Sequence, residues 1–283
     1  MRNDHHAAQD EGPPRPLCTP IRHRLHSSSA PLVLIAPAMA IGSHFYEPLV
    51  AEFARHGWEA HAIRRRGSER GEPRADRRHD WSYQDEIDDI EDAITCARRD
   101  HPEQPILLLG HSLGGQLVAG HQLNHPAVEA MVTVAAALPH HRTYRFCGLH
   151  VLLMGAVAVP LLTTLFGYVP TPAFGGPGAR TLMRQWARTV ITGNPPYKAD
   201  RPIATPALVI SFASDAMAPP RSVDIFAEKL FETRAVTRWQ YEHDDVLPGA
   251  SNDHVRWVRG SSQVVARIVA WWEKPRATSA AVR

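Results

Sequence analysis

The residue of this chain best suited to covalent chemistry is Ser112, in the pentapeptide Gly-His-Ser-Leu-Gly at residues 110–114. The apolar run Ile106 to Leu109 precedes the pentapeptide, and a stretch with helical spacing follows it. A serine between glycines at a strand-to-helix turn is typical of a nucleophile elbow, where small neighbours let a strained turn pack while the hydroxyl stays exposed. The pattern therefore predicts that Ser112 attacks a carbonyl carbon. The alternative is a glycine-rich connection without chemistry.

The carboxylate that such a serine requires is predicted at Asp215. A serine hydroxyl is a weak nucleophile until a histidine takes its proton, and a carboxylate normally orients that histidine. Asp215 lies three residues after the apolar run Leu208 to Phe212, and Pro219 with Pro220 closes the loop before the next helical segment. A carboxylate fixed in this turn can accept the imidazole Nδ1 proton. The alternative is that Asp215 only caps a helix or a turn.

The base is predicted at His254. The chain has 17 histidines, but only His243 and His254 follow Asp215, and serine, acid and histidine in that chain order form a known catalytic arrangement. His254 follows the polar loop of residues 247–253 and precedes a helix-like C-terminal segment. His243 lies close to the end of a predicted strand among acidic residues, so we expect it in a solvated loop.

Two backbone amides are expected to stabilise the negative charge on an attacked carbonyl oxygen. A helix that begins near Ser112 points its positive end at the reacting carbonyl, which makes the amide of Leu113 one donor. The second should come from the loop after the first predicted strand, where Met39 is the preferred residue and Ala38 the reserve. Met39 can also line the substrate pocket, and the two roles are compatible.

The elements that must position these residues alternate along the chain. Apolar runs predict strands at residues 31–35, 59–63, 106–109, 130–134, 207–212 and 236–241. Helical spacing predicts helices around residues 45–53, from Ser82 and Asp85 onward, after Ser112, at 223–230 and at 264–272. This alternation predicts an α/β fold with a doubly wound, mostly parallel sheet flanked by helices.

The alternation is interrupted at residues 139–200, which we interpret as a helical cap inserted over the active site. This stretch contains an apolar run from Val151 to Phe166, a cluster of glycines and prolines at Pro170 to Gly178, and a second helical segment around Leu182 to Val190. We expect the apolar run to form two short helices broken at Pro160.

A membrane-spanning interpretation of the cap must be weighed against this one. Leu149 to Val169 is nearly long enough to cross a bilayer. Pro160 near its middle, His150 at its start and the lack of flanking basic asymmetry argue against spanning. A weak contact of the cap with a membrane interface remains an alternative.

Composition restricts the remaining possibilities. With 283 residues, of which 44% are hydrophobic, the chain can build one α/β core from residues 28–138 and 201–275. The net charge of +2 gives no case for a nucleic-acid partner. Cys18, Cys96 and Cys147 are far apart, so neither a zinc site nor a disulfide framework is indicated, and we expect a cytoplasmic protein. Residues 1–27 are predicted to be a disordered leader, and residues 276–283 a flexible tail.

A basic loop follows the second predicted strand. Seven arginines lie in it: Arg64, Arg65, Arg66, Arg70, Arg74, Arg77 and Arg78. Because ligands of α/β proteins bind near the ends of the strands, these side chains could grip a phosphate or carboxylate of a substrate. The alternative, which we favour, is that they are solvated and paired loosely with the acidic residues of Asp85 to Asp92.

Several segments together resemble the α/β-hydrolase superfamily: GHSLGG at 110–115, SFASDAMAPP at 211–220 and Asn252 to His254. The run LIAPAM at 34–39, the pair Phe45-Tyr46 and the apolar insertion are similar to bacterial predicted α/β hydrolases related to serine aminopeptidase and monoglyceride lipase-like proteins. The resemblance covers roughly residues 30 to 273. It implies the fold, the triad of Ser112, Asp215 and His254, and oxyanion amides at Leu113 and Met39.

The sequence departs from the superfamily's pattern in two loops. One is the loop after the first predicted strand, residues 36–40, which we call the oxyanion loop, and the other is the loop after the second strand. Pro37 stands where many relatives have a histidine, and residues 64–71 are more basic than the usual phrase. The expected activity is hydrolysis of a carboxylic ester of a hydrophobic or acyl small molecule through an acyl-enzyme, with no metal or organic cofactor. An acyltransferase or thioesterase using the same serine, or a non-catalytic binding protein on this fold, are the alternatives.

Overall fold

Six parallel strands form one sheet in the computed structural model, which describes residues 30–274. The strands are β1 (Leu32–Ala36), β2 (Glu59–Ala62), β3 (Ile106–His111), β4 (Ala130–Val134), β5 (Ala207–Phe212) and β6 (Val236–Tyr241), in the spatial order β2-β1-β3-β4-β5-β6. Each neighbouring pair is parallel. The predicted parallel α/β sheet is confirmed.

Helices cover both faces of the sheet. The α-helices are α1 (Glu47–Arg55), α2 (Tyr83–Asp100), α3 (Leu113–Asn124), α4 (Leu149–Leu153), α5 (Val159–Phe166), α6 (Arg180–Thr192), α7 (Pro220–Leu230) and α8 (Ser262–Glu273). A π-helical turn, Met154–Ala158, lies between α4 and α5, and short 3-10 turns occupy Ser43–Tyr46, His141–Thr143, Arg145–Gly148, Thr233–Ala235 and Arg256–Val258.

Two apolar layers hold this arrangement together. Because side chains alternate along a strand, Leu32 and Leu34 of β1 pack on the side of α2 and α3, whereas Val33 and Ile35 pack on the side of α1 and α8. All four residues are buried. Ser82 begins α2 with a reciprocal capping box, in which its side chain accepts from the Asp85 amide and the Asp85 carboxylate accepts from the Ser82 amide. The sheet is thus a rigid base for the loops at its carboxyl edge.

The helical insertion between β4 and β5 is confirmed, but its predicted break at Pro160 is wrong. The backbone stays right-handed helical from Leu149 through the π-helical turn into α5, where Pro160 takes one of the first two positions. A π-helical turn relieves the clash between a proline ring and the preceding turn and leaves fewer amide bonds to lose, so the helix continues. The sharp change of direction lies earlier, where Phe146 and Cys147 have positive φ.

Two further expectations concern regions outside the sheet. The predicted leader at 1–27 and tail at 276–283 lie outside the described residues. Cys96 is disulfide-bonded, although the cysteine positions indicated no disulfide framework, whereas Cys147 is free and exposed. Cysteine pairing depends on proximity in space, and the spacing of cysteines along the chain carries no information about it.

Candidate active site

Ser112 occupies a strained turn between β3 and α3. Its backbone has φ 54° and ψ −117°, an unfavourable region for a residue with a side chain, and its amide donates to the carbonyl of Val134 at 2.9 Å. The flanking glycines are required by close approach. A Cβ on Gly114 would lie 2.1 Å from the carbonyl oxygen of Ala36, and one on Gly115 would lie 2.2 Å from the Ala136 Cβ. The sequence motif is therefore a sterically enforced elbow.

His254 lies beside this serine. Its Nε2 is 3.0 Å from the Ser112 Oγ, and its Nδ1 is 2.5 Å from the Asp215 Oδ2. A carboxylate can only accept, so Nδ1 carries the proton and Nε2 is free to accept the serine proton. The imidazole ring is therefore oriented as a base toward the hydroxyl. The structure brings together all three residues that the sequence singled out, while the alternative base, His243, is exposed.

The Asp215 carboxylate is fixed by its own loop. Its Oδ1 accepts from the amides of Met217 at 2.8 Å and Ala218 at 2.9 Å, which leaves Oδ2 for His254. Asp215 is buried just beyond the end of β5. The turn begins with a bond from the Asp215 amide to the Phe212 carbonyl at 3.2 Å. This arrangement combines the two sequence interpretations, since one carboxylate both stabilises a turn and orients a histidine.

A buried pair that the sequence analysis did not assign supports these residues from behind. The Tyr46 Oη lies 2.8 Å from the His111 Nδ1, and it accepts the amide proton of Ala38 at 2.8 Å. His111 Nε2 donates to the carbonyl of His254 at 2.7 Å. Burial, followed by the nearby His254, lowers the pKa of His111 to about 3, so its ring is neutral. The position of His111 inside the elbow motif was the available signal.

This chain of bonds bears on the predicted oxyanion amides. Leu113 is the first residue of α3, next to the serine, and Met39 lies in the loop after β1; both line the same cavity as Ser112. The reserve choice, Ala38, already donates its amide to Tyr46. An amide committed to a buried acceptor is unavailable to a substrate, so the geometry favours Met39 over Ala38.

Arg65 stabilises the oxyanion loop at its first residues. Its guanidinium donates to the Pro37 carbonyl at 2.9 Å and to the Glu86 carboxylate at 2.6 Å, and both side chains of this ion pair are about 5% exposed. Arg65 thus contacts the position where many relatives have a histidine. The Arg65–Glu86 ion pair is buried. Our expectation that the arginines of the basic loop are solvated and loosely paired is therefore wrong for Arg65.

Two other arginines of the basic loop are also paired. Arg66 makes two bonds to Asp89, at 2.6 and 2.8 Å, and Arg64 contacts Glu72. The Arg66 interaction is bidentate, the geometry that a guanidinium and a carboxylate prefer. These pairs match the predicted pairing with α2 for Arg66 but not for Arg64, whose partner lies in its own loop. These two guanidiniums therefore bind carboxylates of the protein itself.

A cavity of about 810 Å³ opens at Ser112 and His254. Its size falls within the range of small-molecule sites. Large apolar side chains from the oxyanion loop, the 3-10 turn after it and the cap line this cavity: Met39, Phe45, Val151, Met154, Phe174 and Trp186. The cap therefore supplies much of the wall of this cavity.

Comparison with known proteins gives a match to a family model. A family model described as serine aminopeptidase, S33, matches residues 27–167, which contain the oxyanion loop, the elbow and the first cap helices. This family match and the observed fold together support a member of the α/β-hydrolase superfamily. No curated protein gives a significant match to it. The family match and the fold support a hydrolase, in a group of folds that includes esterases and lipases.

Solved structures of a lipase, an esterase and a thioesterase domain share the architecture. A monoacylglycerol lipase from Paleococcus ferrophilus has 17% identity, with 86% of this chain and 95% of that chain covered at a TM-score of 0.57. An esterase from Exiguobacterium antarcticum has 13% identity, with 86% and 92% covered at a TM-score of 0.57. A thioesterase domain from the curacin biosynthetic pathway has 15% identity, with 87% and 93% covered at a TM-score of 0.53. At these identities the likeness concerns the fold alone.

Proposed function

We propose that this α/β hydrolase cleaves a carboxylic ester of a hydrophobic small molecule through an acyl-enzyme on Ser112. The observation that carries the proposal is the bonded series of Ser112 Oγ, His254 Nε2, His254 Nδ1 and Asp215 Oδ2, with distances of 3.0 and 2.5 Å. This series gives the serine a base and gives the base a fixed tautomer.

The first half-reaction transfers the acyl group to the protein. His254 Nε2 takes the Ser112 proton while Oγ bonds to the ester carbonyl carbon, and the carbonyl oxygen becomes an oxyanion. The amides of Leu113 and Met39 stabilise that charge. As the tetrahedral intermediate collapses, the bond to the leaving oxygen breaks, and His254 gives its proton to the departing alcohol.

The second half-reaction releases the acid. His254 Nε2 takes a proton from water, whose oxygen bonds to the acyl carbon, and the same amides stabilise the second oxyanion. The bond to Ser112 Oγ then breaks and the serine regains a proton from His254. Asp215 stays ionised throughout and stabilises the imidazolium that forms twice in each cycle.

The lining of the cavity favours an apolar acyl or alcohol group. Six large apolar residues surround the space above the serine, and each buried methylene group of a substrate contributes about 0.8 kcal/mol. Among the described residues that line the cavity there is no Asp or Glu. A peptide's free amino group would find no carboxylate there, so an ester fits this cavity better than the substrate of an aminopeptidase.

Activity-based labelling tests this proposal. A fluorophosphonate probe should label the wild type and fail to label Ser112→Ala. Ser68→Ala is the matched control, because Ser68 also lines the cavity but lies outside the bonded series. Labelling of Ser112→Ala at the wild-type rate would contradict the proposal.

A panel of esters and thioesters of increasing acyl length then defines the reaction. Hydrolysis that improves with acyl length supports the proposed activity. Product analysis in the presence of an added alcohol separates hydrolysis from acyl transfer, since an acyltransferase yields a new ester in place of the free acid.

A further inference from the structure

The cap exposes a continuous apolar surface, which we call the apolar ridge. Five residues at spacings of four along the helix from α4 to α5 form it, and each is between 53 and 59% exposed: Leu149, Leu153, Val157, Leu161 and Leu165. Phe146 lies beyond one end and is 86% exposed, and Phe166 lies at the other. The π-helical turn underwinds the helix, which keeps residues four apart closer to one line.

The opposite side of the same helix is attached to the protein. Its buried residues are also four apart: Val151, Gly155, Val159 and Thr163. A Cβ on Gly155 would lie 2.9 Å from a methyl carbon of Val190 in α6, and the Arg184 Nε donates to the Thr163 Oγ1 at 2.9 Å. By length and composition Arg145–Phe166 could cross a bilayer, with a mean hydropathy of 2.1. Because one side of this helix is packed against the protein, the apolar ridge on its other side is exposed along the length of the helix.

The cap sequence carries an excess of basic residues, although Arg180 pairs with Asp80 and Lys198 with Asp200. From residue 130 to residue 199 the sequence contains no Asp or Glu but six basic residues: Arg142, Arg145, Arg180, Arg184, Arg188 and Lys198. The whole chain carries a net charge of only +2, so basic charge is concentrated in the cap. A surface that is both apolar and basic matches the chemistry of an anionic bilayer, which offers acyl chains beneath phosphate groups.

Two arginines, Arg77 and Arg184, contact the ridge helix directly, and Arg145 lies just before its first residue. The Arg145 guanidinium lies 5.5 Å from the centre of the Phe146 ring, and Arg184 donates to the hydroxyls of Thr163 and Thr164. Arg77, from the basic loop, donates to the carbonyls of Leu165 and Phe166, both at 3.0 Å. In the part of the chain that the structure describes, these three arginines form no ion pair, unlike Arg64, Arg65 and Arg66. Their charge is available to an outside anion.

We propose that the apolar ridge, flanked by Arg77, Arg145 and Arg184, docks this protein in the plane of an anionic lipid surface. A second copy of the chain fits this surface poorly. In a two-fold dimer the same patch meets itself, so the arginines of one copy would face the arginines of the other. A lipid surface supplies opposite charge and apolar volume together.

Docking in this orientation brings the cavity close to the lipid. The ridge helix also contributes His150, Val151 and Met154 to the cavity wall. Tyr144 joins the cap to the Asp215 loop by donating to the Met217 carbonyl at 2.9 Å, and Met217 is 64% exposed while lining the cavity. Delivery of an apolar ester from the bilayer to Ser112 follows from this placement, a consequence that rests on the proposed function, whereas the docking itself does not.

Vesicle binding by the full-length Ser112→Ala protein tests the docking without any catalysis. We expect co-sedimentation with vesicles of phosphatidylcholine and phosphatidylglycerol, and much weaker co-sedimentation with phosphatidylcholine alone or at high salt. Leu153→Glu with Leu161→Glu should weaken binding at least about tenfold, and Arg145→Gln and Arg77→Gln about fivefold for each charge removed. Leu247→Glu is the control, because Leu247 is 60% exposed outside the cap.

The outcomes separate docking from its rivals. Failure of the unsubstituted Ser112→Ala protein to bind anionic vesicles, or equal binding by the Leu153→Glu, Leu161→Glu protein with its melting temperature unchanged, would overturn the proposal. A dimer in solution that these two substitutions dissociate, without vesicle binding, would assign the ridge to a second copy. Protein that resists alkaline extraction from vesicles would indicate a spanning helix instead. Turnover of a soluble short-chain ester by the Leu153→Glu, Leu161→Glu variant with Ser112 intact tests the proposed function separately.

Discussion

The His111 Nε2 lies 2.7 Å from the carbonyl oxygen of His254, so the residue before the candidate nucleophile holds the backbone of the candidate base. A carbonyl can only accept, which assigns the proton to Nε2. The neutral ring then accepts at Nδ1, and the Tyr46 hydroxyl must be the donor, with its oxygen left to accept the Ala38 amide. One buried chain of bonds thus links the oxyanion loop, the elbow and the His254 loop.

Tyr46→Phe should lower kcat in addition to lowering the free energy of unfolding. The substitution leaves the Ala38 amide and the His111 Nδ1 without a partner, at a cost of about 1–3 kcal/mol in the free energy of unfolding. Because the same bonds orient the oxyanion loop and His254, we also expect kcat to fall about tenfold, equivalent to about 1.4 kcal/mol of transition-state stabilisation.

Tyr241→Phe is the matched control for that experiment. Tyr241 is equally buried, and its hydroxyl donates to Gln263, remote from the bonded series. It should lower the melting temperature and leave kcat unchanged. An unaltered kcat in Tyr46→Phe, or an equal loss in both variants, would show that the chain of bonds has only a structural role.

His111 predicts a specific dependence of stability on pH. Its pKa is about 3 in the folded protein and about 6.5 in an unfolded chain, so the unfolded state binds the extra proton between these values. The contribution is fully present above pH 6.5 and is lost as the pH falls toward 3, by up to about 1.4 kcal/mol per pH unit. Denaturant unfolding of wild type and His111→Gln across this range should show a steeper slope for the wild type.

The choice of variant and reference makes that comparison specific. Glutamine keeps a donor for the His254 carbonyl and an acceptor for Tyr46 but does not titrate. Burial also lowers the pKa of His121, but this residue is present in both proteins and cancels in the difference. Identical slopes would mean that His111 does not stay neutral when the protein is folded.

The strain at Ser112 predicts that removing the side chain of this candidate nucleophile can stabilise the protein. A positive φ costs a residue with a Cβ about 1 kcal/mol or more, and glycine adopts it freely. Ser112→Gly should therefore raise the free energy of unfolding by about 1 kcal/mol while abolishing probe labelling. Ser112→Ala, which keeps the Cβ, should show no such gain, and equal stabilities of these two variants would place the strain elsewhere.

Arg65 provides a test of the oxyanion loop. Arg65→Met leaves the buried Glu86 charge uncompensated and should destabilise the protein by about 3–5 kcal/mol. Adding Glu86→Gln removes that charge but keeps an acceptor for the Trp81 indole, so stability should largely return. Activity should stay low in the double variant, because nothing then donates to the Pro37 carbonyl. Full recovery of kcat together with stability would limit Arg65 to a structural role.

Much of the fold could be predicted because its signals are local. The bounds of β4, β5 and β6 match the predicted strands, and Ser82 with Asp85 begins α2 as the capping pattern indicated. Apolar runs and capping side chains act on the backbone within a few residues, so one sequence is enough to read them. Pro160 is the exception. A π-helical turn before it lets the helix continue past the proline, and a π-helical turn has only a weak signal in the sequence.

The candidate site was determined partly by the sequence and partly by the tertiary structure. Residue types and chain order nominated Ser112, Asp215 and His254, but these residues are separated by as many as 142 positions along the chain. The parallel sheet, which places the ends of β3 and β5 at one edge, brings their hydroxyl, carboxylate and imidazole within hydrogen-bonding distance. The Tyr46–His111 bond and the burial of Arg65 against Pro37 have no local signature, because hydrogen bonds between distant segments exist only after the chain has packed.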